Sequence, residues 1–310
     1  MSAKTLQIAI SVVIPTRDRG AAVYRSVKSV LSSSRHDLEV IVVDDGSTDH
    51  TMSHLLTIDD SRLRFHHLES AGNANRARNA GARLARGELI AFLDSDDCFG
   101  PNRVDRLIDF FGRRPDIDCL VDGYIEINRG ATRIHSMPRL NPSPPQLRYM
   151  LVAHLIPLTN SAITVRGPAF EAVGGYDENL RRHQDRELLL RLTKRHSLWL
   201  GDVTDVEKHR LGRSLSHEHD GYIAGMDALA ARCPDYSLPQ NDDVFRYLVV
   251  RGIIKAITTG HWAAGFRELR QWRKAQHLPK GYFKCLGAYW IGRSQRSRAK
   301  KDHAAVPGSS

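Results

Sequence analysis

The chain of 310 residues predicts an α/β fold built on a mostly parallel sheet. Three observations carry that expectation. Through the first 125 residues, short apolar runs of strand length alternate with helical stretches. Alternation at this spacing implies crossover connections, and these are right-handed in α/β sheets. Acidic, Pro- and Gly-containing clusters fall where the runs end, and open sheets of this class gather ligands beyond the carboxyl ends of their strands.

Residues 8–14 form the first expected strand. Val23, Val27, Val30 and Leu31 follow at the i, i+4, i+7, i+8 spacing of an amphipathic helix. Residues 38–43 read as the second strand, and Ser47 as the N-cap of a helix through Met52, Leu55 and Leu56. Residues 63–67 are a third strand. A helix from Gly72 to Arg86 carries Ala74, Ala77, Ala80, Gly81 and Ala85, small side chains that let it lie close to a sheet or ligand. Residues 89–93 are too short for a helix and read as the fourth strand. A helix with Val104, Leu107, Ile108 and Phe111 follows Pro101, and residues 119–127 complete the pattern.

Residues 129–145 end in Asn141-Pro142-Ser143-Pro144-Pro145 and read as a loop. An extended stretch at 161–165, a Gly174-Gly175 turn and a helix around Leu188, Leu189 and Leu190 come next. From about Asp220 the pattern is helical. The expected organisation is a domain over residues 1–219, with halves at 1–127 and 128–219. A helical basic C-terminal extension over 220–299 and a disordered tail over 300–310 follow.

A content of 41% hydrophobic and 26% charged residues is ordinary for a soluble globular protein. Four widely spaced cysteines without a Cys-x-x-Cys pair argue against a zinc ribbon or a disulfide framework, and suit a reducing compartment. No apolar run approaches the roughly 18 residues of a membrane span; residues 244–257 are interrupted by Arg246, Arg251 and Lys255. Residues 1–7 lack a basic segment leading into a cleavable apolar core. The expectation is therefore a cytoplasmic protein, with peripheral contact at the inner face of the membrane as an option.

That option comes from the charge. Of the net charge of +10, residues 261–310 supply +9, from 11 Lys and Arg against Glu268 and Asp302. Trp262, Phe266, Leu269, Trp272 and Arg273 lie on one expected helix, and residues 282–291 lead into Arg293, Arg296, Arg298, Lys300 and Lys301. Aromatic rings beside cations suit a membrane interface. A purely structural helix pair is the alternative. No nucleic-acid partner is expected, because no recognised module accompanies the charge.

Asp94-Ser95-Asp96-Asp97, at the end of the fourth strand, is the most informative cluster. Carboxylates crowded at a strand end repel one another and are hard to keep ionised together without a cation. Hard oxygen ligands suit Mg²⁺ or Mn²⁺, whose usual other ligands are water and substrate phosphates. Alone, the cluster reads equally as a turn capping the next helix. Pro15-Thr16-Arg17-Asp18 follows the first strand, Asp44-Asp45-Gly46-Ser47-Thr48-Asp49 the second, and Arg76, Arg78 and Asn79 line the small-residue helix. Each in isolation admits turn and cap chemistry.

Their joint order is more specific. Ser11-Val-Val-Ile-Pro-Thr-Arg-Asp18, Glu39-Val-Ile-Val-Val-Asp-Asp-Gly-Ser-Thr-Asp49, Ala77-Arg-Asn79, Gly87-Glu-Leu-Ile-Ala-Phe-Leu-Asp-Ser-Asp-Asp97 and Gly174-Gly-Tyr-Asp177 together resemble the family 2 glycosyltransferases of the GT-A fold, over roughly residues 8–216. The resemblance implies a nucleotide-binding half at 1–127 and an acceptor half at 128–219. It also implies transfer from a nucleotide sugar, most commonly a UDP-sugar, to a glycan or lipid-linked acceptor, with inversion. Pro15, Thr16 and Arg17 would line the nucleotide pocket, Asp45 would accept from the base, and Arg78 would lie against the nucleotide. Asp94 and Ser95 would meet the donor near the ribose, and Asp96 would hold Mg²⁺ or Mn²⁺; Asp97 is the motif's usual third acid.

By the same resemblance Asp185 is the general base, although Gln184 stands where the family has Glu. That departure leaves a second reading, a catalytically silent nucleotide-binding scaffold in glycan assembly. Asn160 and Ser161 are weaker candidates for donor or acceptor contact. Lys208-His-Arg-Leu-Gly-Arg213 matches the family's late Tyr-Arg-x-His pattern poorly, so His209, His217 and His219 read as solvated. Cys98 reads as a packing residue. A methyltransferase, whose sheet also follows a strand with an acidic, Gly-containing loop, is the rival within enzymes. Residues 44–49 offer only one glycine and no Gly-x-Gly-x-x-Gly or P-loop pattern is present, which sets it aside.

Overall fold

A computed structural model describes residues 7–69, 72–138, 142–210 and 222–275. Contacts divide the chain into two units, one of residues 1–218 with 227–234 and the other of residues 219–226 with 235–310.

In the first unit, every residue of β1 (Ile10–Thr16) and β2 (Leu38–Asp44) is buried. Strands this uniformly apolar belong inside a parallel sheet covered on both faces. α1 (Gly20–Leu31) separates them, followed by α2 (Thr51–Leu55), β3 (Leu63–His67), α3 (Ala74–Leu84), β4 (Leu89–Phe92), β5 (Cys98–Phe99) and α4 (Arg103–Arg113). Then come β6 (Cys119–Val121), β7 (Tyr124–Asn128), β8 (Ala131–His135), α5 (Pro144–Val152), β9 (Ile163–Arg166), α6 (Gly167–Ala172), α7 (Gln184–Leu192), β10 (Leu198–Leu200) and β11 (Val206–His209). Among the described residues the large sheet has the order β10-β6-β9-β4-β1-β2-β3, and a smaller sheet the order β5-β11-β7-β8. β1 runs parallel to β2 and β4, β2 to β3, and β6 to β10. Within the large sheet, among the described residues, β9 alone runs against its neighbours, β4 and β6.

The core lies on both sheet faces. Ile10, Val12, Ile14, Val40 and Val42 pack with Val23, Val27 and Val30 of α1 and with Val104, Leu107 and Phe111 of α4. Ile41 and Val43, on the opposite face, meet Ala77 and Ala80 of α3. α3 comes very close: a Cβ at Gly81 would stand 2.4 Å from Val13 Cγ1 and 3.1 Å from Val43 Cγ2. The small residues of this helix therefore serve sheet contact. Asn73 caps it, its Oδ1 accepting from the backbone N–H of Asn75 and Arg76 at 2.9 and 3.1 Å.

Several expected boundaries move. α2 starts at Thr51 with His50 as N-cap; Ser47 does not cap it, because its Oγ donates to Asp44 Oδ1 at 2.5 Å and accepts the Asp18 N–H at 2.9 Å. Residues 119–127 are not one strand. They break at Asp122-Gly123 into β6 of the large sheet and β7 of the small one, and a Cβ at Gly123 would meet His135 O at 2.6 Å. The loop expected at 129–145 contains β8, paired antiparallel with β7. Its residues are exposed, so no apolar alternation marks it. Pro144 and Pro145 open α5, where a first-turn proline loses no hydrogen bond, with a Ser143–Gln146 capping box. The stretch at 161–165 starts as a 3₁₀ turn over Asn160–Ala162 before β9.

One buried charge links three elements. Glu39 on β2, 1% exposed, accepts from Ser11 Oγ (2.7 Å), the Arg86 N–H (2.7 Å), Arg64 Nη1 (2.7 Å) and Arg86 Nε (2.9 Å). Burial alone would raise its pKa, but these donors outweigh it and hold the carboxyl below the usual glutamate range. Glu39→Gln is expected to lower stability by about 2 kcal/mol at neutral pH, the order of a charge-assisted hydrogen-bond set lost from one acceptor. Because the folded pKa is depressed, this stabilisation is complete above the unfolded glutamate pKa and lost as pH falls through the folded one. Urea midpoints of both proteins at stepped pH check this; a gap that stays constant into strong acid contradicts it.

In the second unit α9 (Asp242–Thr258) and α10 (Trp262–Ala275) pack closely, since a Cβ at Gly265 would meet Ile257 Cγ1 at 2.5 Å. Glu268, buried on α10, accepts from the Tyr222 N–H at the start of α8 (Tyr222–Arg232). Trp262 and Phe266 are exposed. No described helix is long and apolar enough to cross a membrane. The aromatic stretch at 282–291 and the tail at 300–310 lie outside the described residues.

Candidate active site

The carboxyl ends of β1, β2 and β4 lie side by side, because the three strands are parallel and in register. This brings the three predicted clusters to one mouth. The acid turn 94–97 is closed by Asp97 N–H to Asp94 O at 2.9 Å. It is fastened to α1 through Ser26, whose Oγ lies 2.6 Å from Asp97 O and 2.9 Å from Ser95 O. β9, running in reverse, begins where β4 ends. Ser161 therefore reaches the turn: its Oγ accepts from the Asp94 N–H at 3.0 Å and donates to Asp97 Oδ2 at 2.6 Å.

The acids have different environments. Asp94 accepts from Arg78 Nη2 at 2.5 Å. Burial would raise its pKa, yet Arg78, Lys208 and Arg19 hold it below the usual range. Asp96 has Arg19 Nη1 at 3.5 Å, and burial together with the Asp94 charge pushes it up. Asp97, 1% exposed, is driven up to about 8 by burial and by the charges of Asp94 and Asp96, against the opposing pull of Lys208 and Ser161.

Among the described residues no three His, Cys, Asp or Glu side chains form a metal-holding group. The donor set fits a divalent ion differently. Asp96 is a hard oxygen donor, destabilised as an anion by burial and by Asp94, with Arg19 as its ion-pair contact among the described residues. Mg²⁺ commonly takes one or two carboxylates and completes its shell with phosphate oxygens and water.

The nucleotide-side residues fall as follows. Pro15 is buried in β1, and Thr16 is buried with an unpartnered Oγ1. Arg17 is exposed and pairs with Asp18 at 3.8 Å. Asp18 adopts φ +51° and its Oδ1 accepts the Thr48 N–H at 2.7 Å, tying the loops after β1 and β2 together. Asp45 Oδ1 accepts from the Gly72 N–H at 2.9 Å. Asp44 is buried against His67 Nδ1 at 3.0 Å. Ser95 is partly exposed on the acid turn. Arg78 is buried, with its guanidinium 5.4 Å from the centre of the Tyr176 ring.

Asp185 occupies the first turn of α7, where helix N–H groups and the helix dipole favour a carboxylate. Its charge acts on Arg78, Tyr176, Tyr124 and Lys208, so it faces the same mouth as the acid turn. α3 holds this region through two side-chain amides, Asn79 of the quoted motif and Asn75, which the sequence did not single out. Asn79 Oδ1 accepts the Tyr176 N–H and Asn79 Nδ2 donates to Tyr176 O, both at 2.9 Å, while Asn75 Nδ2 donates to Asp177 O and Leu180 O at 2.9 and 2.7 Å. Gly175 must be glycine there: φ is +69° and a Cβ would stand 2.6 Å from Asn79 Oδ1. Glu187 and Arg191 clamp the turn, Arg191 Nη2 donating to Gly175 O at 2.6 Å.

Asn160 is buried with an unpartnered Oδ1. His209 Nε2 lies 3.2 Å from Glu207, and its N–H donates to Asp97 Oδ1 at 3.2 Å, so its backbone rather than its ring meets the acids. His217 and His219 lie outside the described residues. Cys98 is buried, and burial raises its pKa, as suits packing. Arg19, Ser26 and Asn75 were missed, and Asn79 and Lys208 stood in quoted stretches without the contacts described here. The missed residues come from elements whose approach to the mouth is not written in local sequence.

The sequence pattern of Glycosyl transferase family 2 matches residues 11–165. Glycosyltransferase GlyG of Streptococcus pneumoniae is 34% identical over 117 residues, 37% of this chain and 38% of that protein. The Escherichia coli protein WfaP, named as a UDP-Glc:alpha-D-GlcNAc-diphosphoundecaprenol beta-1,3-glucosyltransferase, is 31% identical over 140 residues, 45% of this chain and 53% of that protein. The chain thus matches well under two thirds of either relative's length. The mannosyltransferase PcManGT of Pyrobaculum calidifontis, solved in complex with GDP-Man and Mn²⁺, superposes with a TM-score of 0.58 at 15% identity, covering 91% of this chain and 79% of that one. This likeness shows the GT-A-like fold.

Proposed function

The chain belongs to the family 2 glycosyltransferases, and from that we propose that it transfers a sugar from a UDP-sugar to a glycan or lipid-linked acceptor, with inversion and with a divalent ion at Asp96. The observation that carries this reading is that Arg78, paired with Asp94 at 2.5 Å and set 5.4 Å from the centre of the Tyr176 ring, lies near enough to Asp185 in the first turn of α7 to feel its charge. The donor-side acids and the candidate base therefore serve one mouth. A UDP-sugar and a lipid-linked acceptor are supported by the name of WfaP, and a divalent ion by the Mn²⁺ bound to PcManGT.

Pro15, Thr16, Arg17 and Asp45 line the base end, Arg78 lies against the nucleotide, and Asp94 and Ser95 meet the donor near the ribose. Mg²⁺ or Mn²⁺ on Asp96 would neutralise charge on the departing diphosphate. Asp185 takes the proton from the acceptor hydroxyl as that oxygen bonds to the anomeric carbon, and the bond from that carbon to the diphosphate oxygen breaks. Arg78, fixed by Asp94 and Tyr176, holds its charge in place without reorganising. The exposed Trp262 and Phe266 on α10, with Arg267 and Arg270 on the same helix, support peripheral contact with an anionic membrane bearing the acceptor.

Asp96→Asn tests the metal assignment. UDP affinity measured by calorimetry in Mn²⁺ is expected to fall about tenfold or more, the order of one lost charge-assisted contact, while affinity in EDTA is unchanged. Equal Mn²⁺ enhancement in both proteins sinks it.

A further inference from the structure

We propose that Lys208 is a fixed cation of the donor site, whose ammonium hydrogen-bonds the outer, sugar-linked phosphate of the bound nucleotide sugar. This rests on the nucleotide-sugar reading above and goes beyond it by naming a residue on the second sheet.

β11 lies between β5 and β7, with Lys208 opposite Glu126 of β7. That pairing and the His209 N–H on Asp97 fix the backbone on either side of the lysine. Lys208 Nζ donates to Thr159 Oγ1 at 3.0 Å and lies 5.8 Å from the centre of the Tyr124 ring. Thr159 is 2% exposed and directly precedes the turn that delivers Asn160 and Ser161 to the acid cluster. The ammonium is thus anchored at the edge of the mouth.

Its electrostatic surroundings are acidic on two sides. Asp97 and Asp94 act on it from the donor side, Asp185 from the acceptor side, and the Tyr124 hydroxyl from the small sheet. Burial would favour the neutral amine, but these groups outweigh it and keep the lysine charged. Arg78 is committed to Asp94, and Arg19 contacts Asp96. Lys208 differs: among the described residues its hydrogen-bond partner is the neutral Thr159, and no carboxylate is in ion-pair contact with it. An ammonium has three donors, so two remain for an incoming acceptor. A cation anchored on Thr159, next to the His209 N–H that meets Asp97, feels both the donor-side acids and the candidate base. It is placed to meet the phosphate that carries the sugar, which selects the outer phosphate over the inner one.

The test is calorimetric titration of UDP, UMP, GDP and GMP into wild type, Lys208→Met and Lys208→Arg, each with Mn²⁺ and with EDTA, alongside melting temperatures. Lys208→Met is expected to weaken diphosphate binding about tenfold or more under both conditions, while monophosphate binding shifts less than about threefold. Lys208→Arg, retaining the charge, should recover most of the loss. Unchanged UDP and GDP affinity in Lys208→Met overturns the proposal, as does an equal fall for the monophosphates, which marks a structural role. Wild type binding neither diphosphate, even with Mn²⁺, overturns the nucleotide-sugar reading and this inference together.

Discussion

Asp185→Asn is expected to lower kcat by about 10³-fold, within the 10²–10⁴ range that a positioned general base contributes. The donor KM should change little. Asparagine keeps the size of the side chain and can still accept the Arg186 N–H, which Asp185 Oδ1 now takes at 2.8 Å, so α7 should start where it does. What disappears is the carboxylate that can receive a proton. Loss of the negative charge also removes one of the groups acting on Arg78 and Lys208. Both cations should then hold the diphosphate no less firmly. The discriminating measurement is initial-rate kinetics with UDP-sugar donors beside UDP affinity. A fall in kcat with preserved UDP affinity is the expected pattern; unchanged turnover removes Asp185 as the base, and parallel loss of both makes it a binding residue.

Arg103→Met is expected to cost about 3–5 kcal/mol of folding stability, the usual result of removing one partner from a buried ion pair. Arg103 and Asp122 are both fully buried. Asp122 Oδ2 accepts from Arg103 Nη1 at 3.1 Å and from Arg106 Nη2 at 2.6 Å, whereas Oδ1 is unpartnered. Arg103 also pairs with Asp205, and Arg106 Nε with Asp205 Oδ2 at 2.7 Å. Burial raises the Asp122 pKa even with both arginines present, so losing one leaves a carboxyl that must protonate or be exposed. The double variant Arg103→Met/Asp122→Asn should be more stable than Arg103→Met alone, since the stranded charge is gone. Urea unfolding checks both, with a lower midpoint and an unchanged slope expected for the single variant. A loss below about 1 kcal/mol would mean that Arg106 satisfies Asp122 unaided. The network also reaches the active site: Asp205 O accepts the Gly100 N–H at 2.8 Å, just after the acid turn.

Apart from the two-residue β5, the strands and helices of residues 10–113 were legible because their signals are local. β1, β2 and β4 are short apolar runs, α1 carries its stripe, and α3 its small residues. The clusters at the strand ends were legible for the same reason: parallel register carries every carboxyl end to one edge. Beyond Cys119 the signals fail individually. β8 is a solvated strand without alternation, and the break at Gly123 is set by the approach of His135 O, which no neighbouring residue announces. Ser47 looked like a cap, but Asp44 and the Asp18 N–H, the latter from the loop after β1, take up its hydroxyl. Lys208 looked like part of a poor motif match. Its significance depends on β11 lying between β5 and β7, a pairing across more than eighty residues for Lys208 and Glu126.

The direction of β9 has a consequence for how such a protein can diversify. Because this strand enters the sheet at the edge where its neighbours leave it, the turn ahead of it, Asn160–Ala162, sits at the rim where β1 and β4 end. The register of β4, β9 and β6 is held by Ile163–Arg166 and not by the residues that lead into it. Sequence change ahead of Ile163 thus leaves the sheet intact while altering what the rim presents.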